Sequence, residues 1–148
     1  MSPFAERLEA VRERIRSTGR DLEEIAIVAV SKGRSLEECR EALSAGVHAL
    51  GENRVQEALP KLEALSEAEW HLVGHLQRNK VRQVSGRFRL IQSLDSVQLA
   101  ELRLRCQDVT GRPLPILSMG MSGDFEAACR AGSTMLRLGR VLFESPRA

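Results

Sequence analysis

The chain predicts an α/β fold: a parallel sheet with helices packed outside it. Three observations carry that expectation. Apolar runs of four to seven residues alternate regularly with helix-periodic segments, the runs are too continuously apolar for one-sided strands, and polar residues gather just after them. Parallel strands need crossover helices between them, and strands buried on both faces read as short continuous apolar runs. A length of 148 residues suits one domain with no linker.

Ser2-Pro3 caps and starts a first helix, in which Phe4, Leu8, Val11 and Ile15 recur at helical spacing until Gly19 supplies a stop. The run Ile25-Ala26-Ile27-Val28-Ala29-Val30 reads as a buried strand over 25–31. Ser35-Leu36-Glu37-Glu38 is a capping box, and Leu36, Cys39 and Leu43 form one face of the helix it opens, which ends at Gly46. A short strand follows from Val47 to Leu50. Gly51-Glu52-Asn53 leads into a helix through about Leu65, Trp70 to Val73 is a strand, Arg78 to about Val84 a short helix, and Phe88 to Ile91 the fourth strand. Asp95-Ser96-Val97-Gln98 begins a capped helix carrying Val97, Leu99, Leu102 and Cys106, before Gly111-Arg112-Pro113 breaks the chain. Pro115 to Met119 is strand-like, Asp124 to Ala131 a helix stopped by Gly132, and Thr134 to Leu138 the sixth and last strand. Functional residues of such sheets sit at the carboxyl ends of strands, where Lys32, Asn53, His75, Ser93, Ser122 and Gly139 fall.

Composition narrows the function classes. Hydrophobic residues make up 43% and aromatic residues 3%, so the core must be aliphatic, and a net charge of +2 with interleaved signs predicts neither nucleic-acid nor membrane binding. No apolar stretch is long enough to span a bilayer, and Met1-Ser2-Pro3-Phe4-Ala5-Glu6-Arg7 lacks the build of a secretory signal, so a cytoplasmic location is expected. Cys39, Cys106 and Cys129 are widely separated and odd in number, which favours buried thiols over disulfides or a metal site. His71 and His75 invite a metal reading, but no third ligand stands at a useful spacing, and none is assigned. His48 reads as a surface residue between helix and strand, and Arg78-Asn79-Lys80 as a solvated helix face rather than an anion site.

The most telling residue is Lys32, placed where a buried strand surfaces. An ammonium at the mouth of an apolar sheet loses hydration, its neutral amine becomes easier to reach, and a neutral amine attacks an aldehyde. Most lysines in strand-to-helix turns are simply solvated, and the residue alone leaves both readings open.

Taken together, Ala29-Val30-Ser31-Lys32, Gly51-Glu52-Asn53-Arg54-Val55-Gln56-Glu57, the run from Trp70 to Lys80, Leu117-Ser118-Met119-Gly120-Met121-Ser122-Gly123-Asp124 and Gly132-Ser133-Thr134-Met135-Leu136-Arg137-Leu138-Gly139 resemble the YggS/PROSC family of pyridoxal 5′-phosphate homeostasis proteins. That resemblance implies a TIM-type (β/α) barrel similar to the amino-terminal domain of alanine racemase. It makes Lys32 the residue that forms the internal aldimine with pyridoxal 5′-phosphate, and Arg137 the arginine directed at the pyridine nitrogen. Ser122 and Gly123 open a helix whose free N–H groups suit the phosphate, and Gly139 permits close backbone approach to the same anion. Asn53 and His75 resemble residues beside the ring, although Asn53 also reads as a cap for the following helix.

Two departures from the family pattern stand out. Arg140 occupies the position after Gly139 where a small hydroxyl residue is usual, so either the guanidinium contacts the phosphate or it faces outward and the backbone N–H alone serves. The family barrel has eight βα units; at roughly 25–30 residues per unit this chain lacks about two, with the join near 116–118, where Gly111-Arg112-Pro113-Leu114-Pro115-Ile116-Leu117 runs directly into Ser118-Met119-Gly120-Met121. The family resemblance implies a monomer, whereas a six-stranded remnant with two unpaired edges is expected to open or to swap with a second copy.

The function expected is a carrier that holds the cofactor on Lys32 and hands it to cofactor-dependent apo-enzymes, without catalytic residues of its own. A racemase or decarboxylase would need an acid/base on the opposite cofactor face, commonly a tyrosine, and the chain contains no tyrosine. The remaining alternatives are a Schiff-base aldolase, which leaves the phosphate-end motifs unexplained, and a shortened scaffold that has lost its ligand.

Overall fold

The structure, a computed structural model, describes residues 1–74, 87–92, 108, 111 and 115–145. Helix α1 (Pro3–Arg16) is capped by the Ser2 hydroxyl, which accepts from the Ala5 N–H, and Pro3 occupies the first turn, where a missing N–H costs nothing. Its Phe4, Leu8, Val11 and Ile15 are all buried. After a 3₁₀ turn at Leu22–Glu24, capped by Asp21, come β1 (Ala26–Val30), α2 (Leu36–Ser44), β2 (Ala49–Glu52), α3 (Val55–Ala64) and β3 (Glu69–Leu72). Strand β4 (Leu90–Ile91), helix α4 (Phe125–Arg130), strand β5 (Met135–Leu138) and helix α5 (Arg140–Phe143) complete the described elements.

The sheet order is β4-β3-β2-β1-β5, with every pairing parallel. Side chains alternate across it. Ala29, Leu50, Trp70, Leu136 and Leu138 face the helices and join Phe4, Leu8, Cys39 and Phe125 in the main core, whereas Val28, Ala49 and Met135 pack with Leu90 on the inner face. The capping box opens α2 as the sequence expects: the Ser35 hydroxyl accepts from the Glu38 N–H at 3.2 Å, and the Glu38 carboxylate accepts from the Ser35 N–H at 2.8 Å.

Three expectations are corrected, and one helix is added. Pro115 to Met119 is not a strand; Ser118 makes one parallel bridge to Met135, giving five strands and a bridge among the described residues rather than six strands. Pro115 has no N–H to donate, and Gly120 turns the chain at φ +109°, so only the short stretch between them can pair. Strand β2 starts at Ala49 and not at Val47, because the Val47 N–H is still closing the end of α2 on the Ala42 carbonyl at 3.1 Å. Asn53 does not cap α3: the N-cap is Arg54, and no side chain hydrogen-bonds there. Helix α5 is unexpected, since four residues are too few for a readable period. The helices expected over Arg78 to Val84 and from Asp95, together with Cys106 and Ser93, lie outside the described residues.

Gly120 holds the turn that delivers the chain from this bridge to the site. A Cβ there would approach the Ala128 Cβ to 2.7 Å and Leu136 Cδ2 to 2.8 Å, at a backbone conformation side chains rarely adopt. Gly120→Val is expected to destabilise the fold by roughly 2 kcal/mol or more through backbone strain and overpacking. Thermal unfolding followed by circular dichroism checks this; an unchanged midpoint would show that the turn relaxes freely.

Candidate functional site

A cavity of about 940 Å³ opens at the carboxyl ends of β1, β2, β3 and β5, and Lys32, Asn53, Ser122, Gly123, Arg137 and Gly139 all line it. Six of the seven residues singled out in the sequence therefore share one cavity; the seventh, His75, lies outside the described residues. Val30, Val73 and Met121 add apolar wall, and Arg34, Gln92, Asp124, Arg140 and Glu144 add polar rim.

Lys32 reaches this position through a buried support that the sequence reading missed. Ser31, the residue before it, is fully buried, and its hydroxyl donates to Glu52 Oε1 at 2.7 Å. Lys61 from α3 donates to the same Glu52 oxygen at 2.5 Å and to the Ser31 carbonyl at 2.8 Å. Glu52 has no solvent exposure, so the ion pair is shielded and fixes the backbone from which Lys32 projects. Its legible signal was a carboxylate at the end of an otherwise buried strand, nine residues before a lysine on the next helix. Lys32 itself is exposed, which corrects the expectation of a desolvated amine: the cavity is open to solvent where this side chain sits. Among the described residues no hydrogen bond or ion pair engages its ammonium.

Asn53 is set by close backbone packing. A Cβ on Gly74 would lie 2.1 Å from the Asn53 carbonyl oxygen, so only glycine lets the end of β3 press against the end of β2. Across the cavity, Ser122 accepts from the Val141 N–H at 3.2 Å and so ties the loop before α4 to the first turn of α5. Gly123 has nothing within 4 Å of a notional Cβ and leaves its backbone open to the cavity. Gly139 is the N-cap of α5, and a Cβ there would make only ordinary contact with Val30.

Arg137 lies on β5, six per cent exposed, and donates to the Ser118 carbonyl at 3.0 Å and the Ser118 hydroxyl at 2.9 Å. Arg140 is exposed at the rim. The acidic side chains of the rim are engaged: Asp124 accepts from the Met121 N–H at 2.7 Å, and Glu144 pairs with Arg34 at 2.5 Å. The cavity therefore offers an amine, two guanidiniums, two amides and two glycine backbones beside an apolar wall. Such a set suits a small, flat, electrophilic ligand that carries an anionic group.

Below the cavity floor His71 is buried on β3, with Nδ1 2.8 Å from the Gln92 amide nitrogen; burial lowers its pKa. No group of three or more His, Cys, Asp or Glu side chains among the described residues is arranged to hold a metal ion. Cys39 and Cys129 are free buried thiols whose pKa values burial raises.

No family model matches the chain. Among curated proteins it is similar to the pyridoxal phosphate homeostasis protein of Aquifex aeolicus (strain VF5), 30% identical over 219 aligned positions that cover 93% of this chain and 96% of that protein. The pyridoxal phosphate homeostasis protein of Escherichia coli (strain K12) is 29% identical over 226 positions, covering 97% of each. Both alignments run longer than the 148 residues of the chain, so these relatives carry residues with no counterpart in it. Among solved structures, PipY of Synechococcus elongatus PCC7942, known without PLP and with PLP bound, superposes with a TM-score of 0.71 at 27% identity, covering 95% of this chain and 99% of that one. Alanine racemase of Clostridium difficile 630 superposes with a TM-score of 0.67 at 11% identity over 92% of this chain and 55% of its own, a likeness of fold alone. The architecture is thus a shortened TIM-type (β/α) barrel of the alanine racemase kind.

Proposed function

Because the chain belongs to the family of pyridoxal phosphate homeostasis proteins, we propose that it binds pyridoxal 5′-phosphate in the cavity at its strand ends and serves intracellular homeostasis of that cofactor. The observation that carries this reading is the position of one amine. The chain has three lysines; Lys61 is held by Glu52 and Ser31, Lys80 lies outside the described residues, and Lys32 stands in the cavity with its ammonium unengaged among the described residues. When bound, the cofactor supplies an aldehyde that condenses with a primary amine, losing one water.

Lys32 is the amine assigned to that linkage. Ser122, Gly123 and Gly139 are assigned to the phosphate: Ser122 presents its hydroxyl, already ordered by Val141, and the two glycines expose backbone N–H groups without a side chain in the way. Arg140, exposed at the same rim, adds positive charge. Arg137 is assigned to the pyridine nitrogen. A fixed cation there disfavours protonation of that nitrogen and leaves the ring a poor electron sink, which supports a holding role without amino-acid turnover. The absence of tyrosine, the usual second acid/base of racemases on this fold, points the same way. Asn53 is assigned to the ring edge, and His75 keeps the place beside the ring that the family resemblance implies.

We assign residues 1–148 to one domain, with the missing counterpart segment falling near 116–118, where Pro115 to Met119 passes directly into the bridge on β5. Cofactor-dependent apo-enzymes are the recipients this role calls for, and the cytoplasm its setting; no helix among the described residues is long and apolar enough to cross a membrane.

Borohydride reduction of the cofactor-incubated protein, followed by peptide mapping, tests the reading. The expected result is a single pyridoxyl adduct on Lys32. Label on Lys61 or Lys80 alone, or none at saturation, would overturn it.

A further inference from the structure

One line of hydrogen bonds crosses the barrel interior from Arg137 to His71, and its direction follows from chemistry. A guanidinium only donates, so Arg137 donates to the Ser118 hydroxyl at 2.9 Å. That hydroxyl then turns its proton to Gln92 Oε1, with which it makes a short contact. With its oxygen accepting from Ser118, Gln92 can present only its NH₂ to His71 Nδ1, 2.8 Å away, and the second amide proton points to Met135 Sδ at 3.2 Å. His71 Nδ1 therefore accepts, which places the imidazole proton on Nε2, a buried nitrogen with no partner among the described residues. Three of its four members are nearly enclosed: His71 is 1% exposed, Arg137 6% and Gln92 8%, while Ser118 is partly exposed.

Gln92 also occupies a particular place in the fold. It follows the edge strand β4, and its side chain reaches Ser118 and Met135 at the other end of the sheet order. We propose that Gln92 is a positioning residue for the cofactor: through Ser118 it fixes the guanidinium of Arg137 for the pyridine nitrogen. This rests on the assignment of Arg137 made above. The apolar alternative at position 92 would leave the Ser118 hydroxyl proton and His71 Nδ1 without these partners and release the Ser118 hydroxyl to rotate away from Arg137.

The test compares two ligands that differ at the atom concerned: pyridoxal 5′-phosphate and its 1-deaza analogue, in which carbon replaces the ring nitrogen. Gln92→Met keeps volume and removes the relay; Ser118→Ala breaks it one link closer to Arg137 and serves if Gln92→Met fails to fold. Either variant is expected to bind pyridoxal 5′-phosphate about tenfold more weakly, the scale of one lost hydrogen bond at the upper end of its range. Binding of the deaza analogue should stay within twofold of wild type by order of magnitude, and the double variant should lose no more than the worse single one. Equal losses for both ligands would reduce Gln92 to a packing role and overturn the proposal, as would unchanged binding of both. Wild-type protein that binds neither ligand would overturn the cofactor assignment itself, a result that the variants cannot produce.

Discussion

Lys32→Met protein mixed with pyridoxal 5′-phosphate is expected to show no visible absorbance from a carbon–nitrogen double bond and no pyridoxyl adduct after borohydride treatment. The substitution removes the only lysine among the described residues that lines the cavity, and the other described lysine cannot replace it, because Lys61 is engaged by buried Glu52. Side-chain length is retained, so packing gives no reason for the fold to suffer. What survives is the non-covalent part of binding: the Ser122 hydroxyl, the open backbone at Gly123 and Gly139, and the positive charge of Arg137 and Arg140. Equilibrium dialysis should therefore still detect binding, weakened on the order of a hundredfold or about 2.8 kcal/mol. Competition by inorganic phosphate should be stronger than in wild type, since the anion end then carries most of the affinity. Full retention of the absorbance band would move the covalent link to another amine.

The second large effect concerns stability. Lys61→Met is expected to lower unfolding free energy by about 3–5 kcal/mol, because it strands the carboxylate of Glu52 in a site without solvent, leaving only the Ser31 hydroxyl as a partner. Replacing both ends of the pair, Glu52→Met with Lys61→Met, should recover most of that loss, since a shielded ion pair and a packed apolar pair are often close in free energy. Chemical denaturation of the two single variants and the double variant gives the cycle. The Lys61 ammonium also holds the Ser31 carbonyl, so the single variant should show slower adduct formation at Lys32 even under conditions where it is folded. A loss below about 1 kcal/mol, the scale of a surface pair, would mean that water reaches the site.

Much of the architecture was legible from local chemistry. The capping box at Ser35 and the apolar run through β1 specify their elements without tertiary help, and the structure places them within a residue or two. Legibility failed where tertiary contacts decide. The stretch before Gly120 has strand-like composition, but one proline and one left-handed glycine cut its pairing to a bridge. Helix α5 has only four residues and owes its existence to packing of Leu142 and Phe143 against the core. The site divides the same way. Strand-end placement was enough to bring out Lys32, Asn53, Ser122 and Gly139, because the direction of a parallel strand determines which end its next residue occupies; Gly123 followed from the helix opening beside it, and Arg137 from the family resemblance alone. The exposure of Lys32, the Ser31–Glu52–Lys61 support and the line through Gln92 depend on contacts between residues 9 to 26 positions apart, which a single sequence does not encode in any local pattern.

The ring of Phe4 meets that of Phe143 edge-on at a centroid distance of 5.0 Å, and Arg7 donates to the Leu142 carbonyl at 2.6 Å, so α1 clasps α5. The wall of the cavity at Gly139 and Arg140 is therefore fastened by a helix whose contact residue lies 135 positions earlier in the chain. During synthesis the early strands can collapse against α1 as soon as they emerge, but the anion end has no counterpart to close on until the chain has been made past Phe143. A nascent chain stalled short of that residue would expose Lys32 to reactive aldehydes without the opposing grip, and selective capture of the phosphorylated vitamer would arrive only once Phe143 has been made.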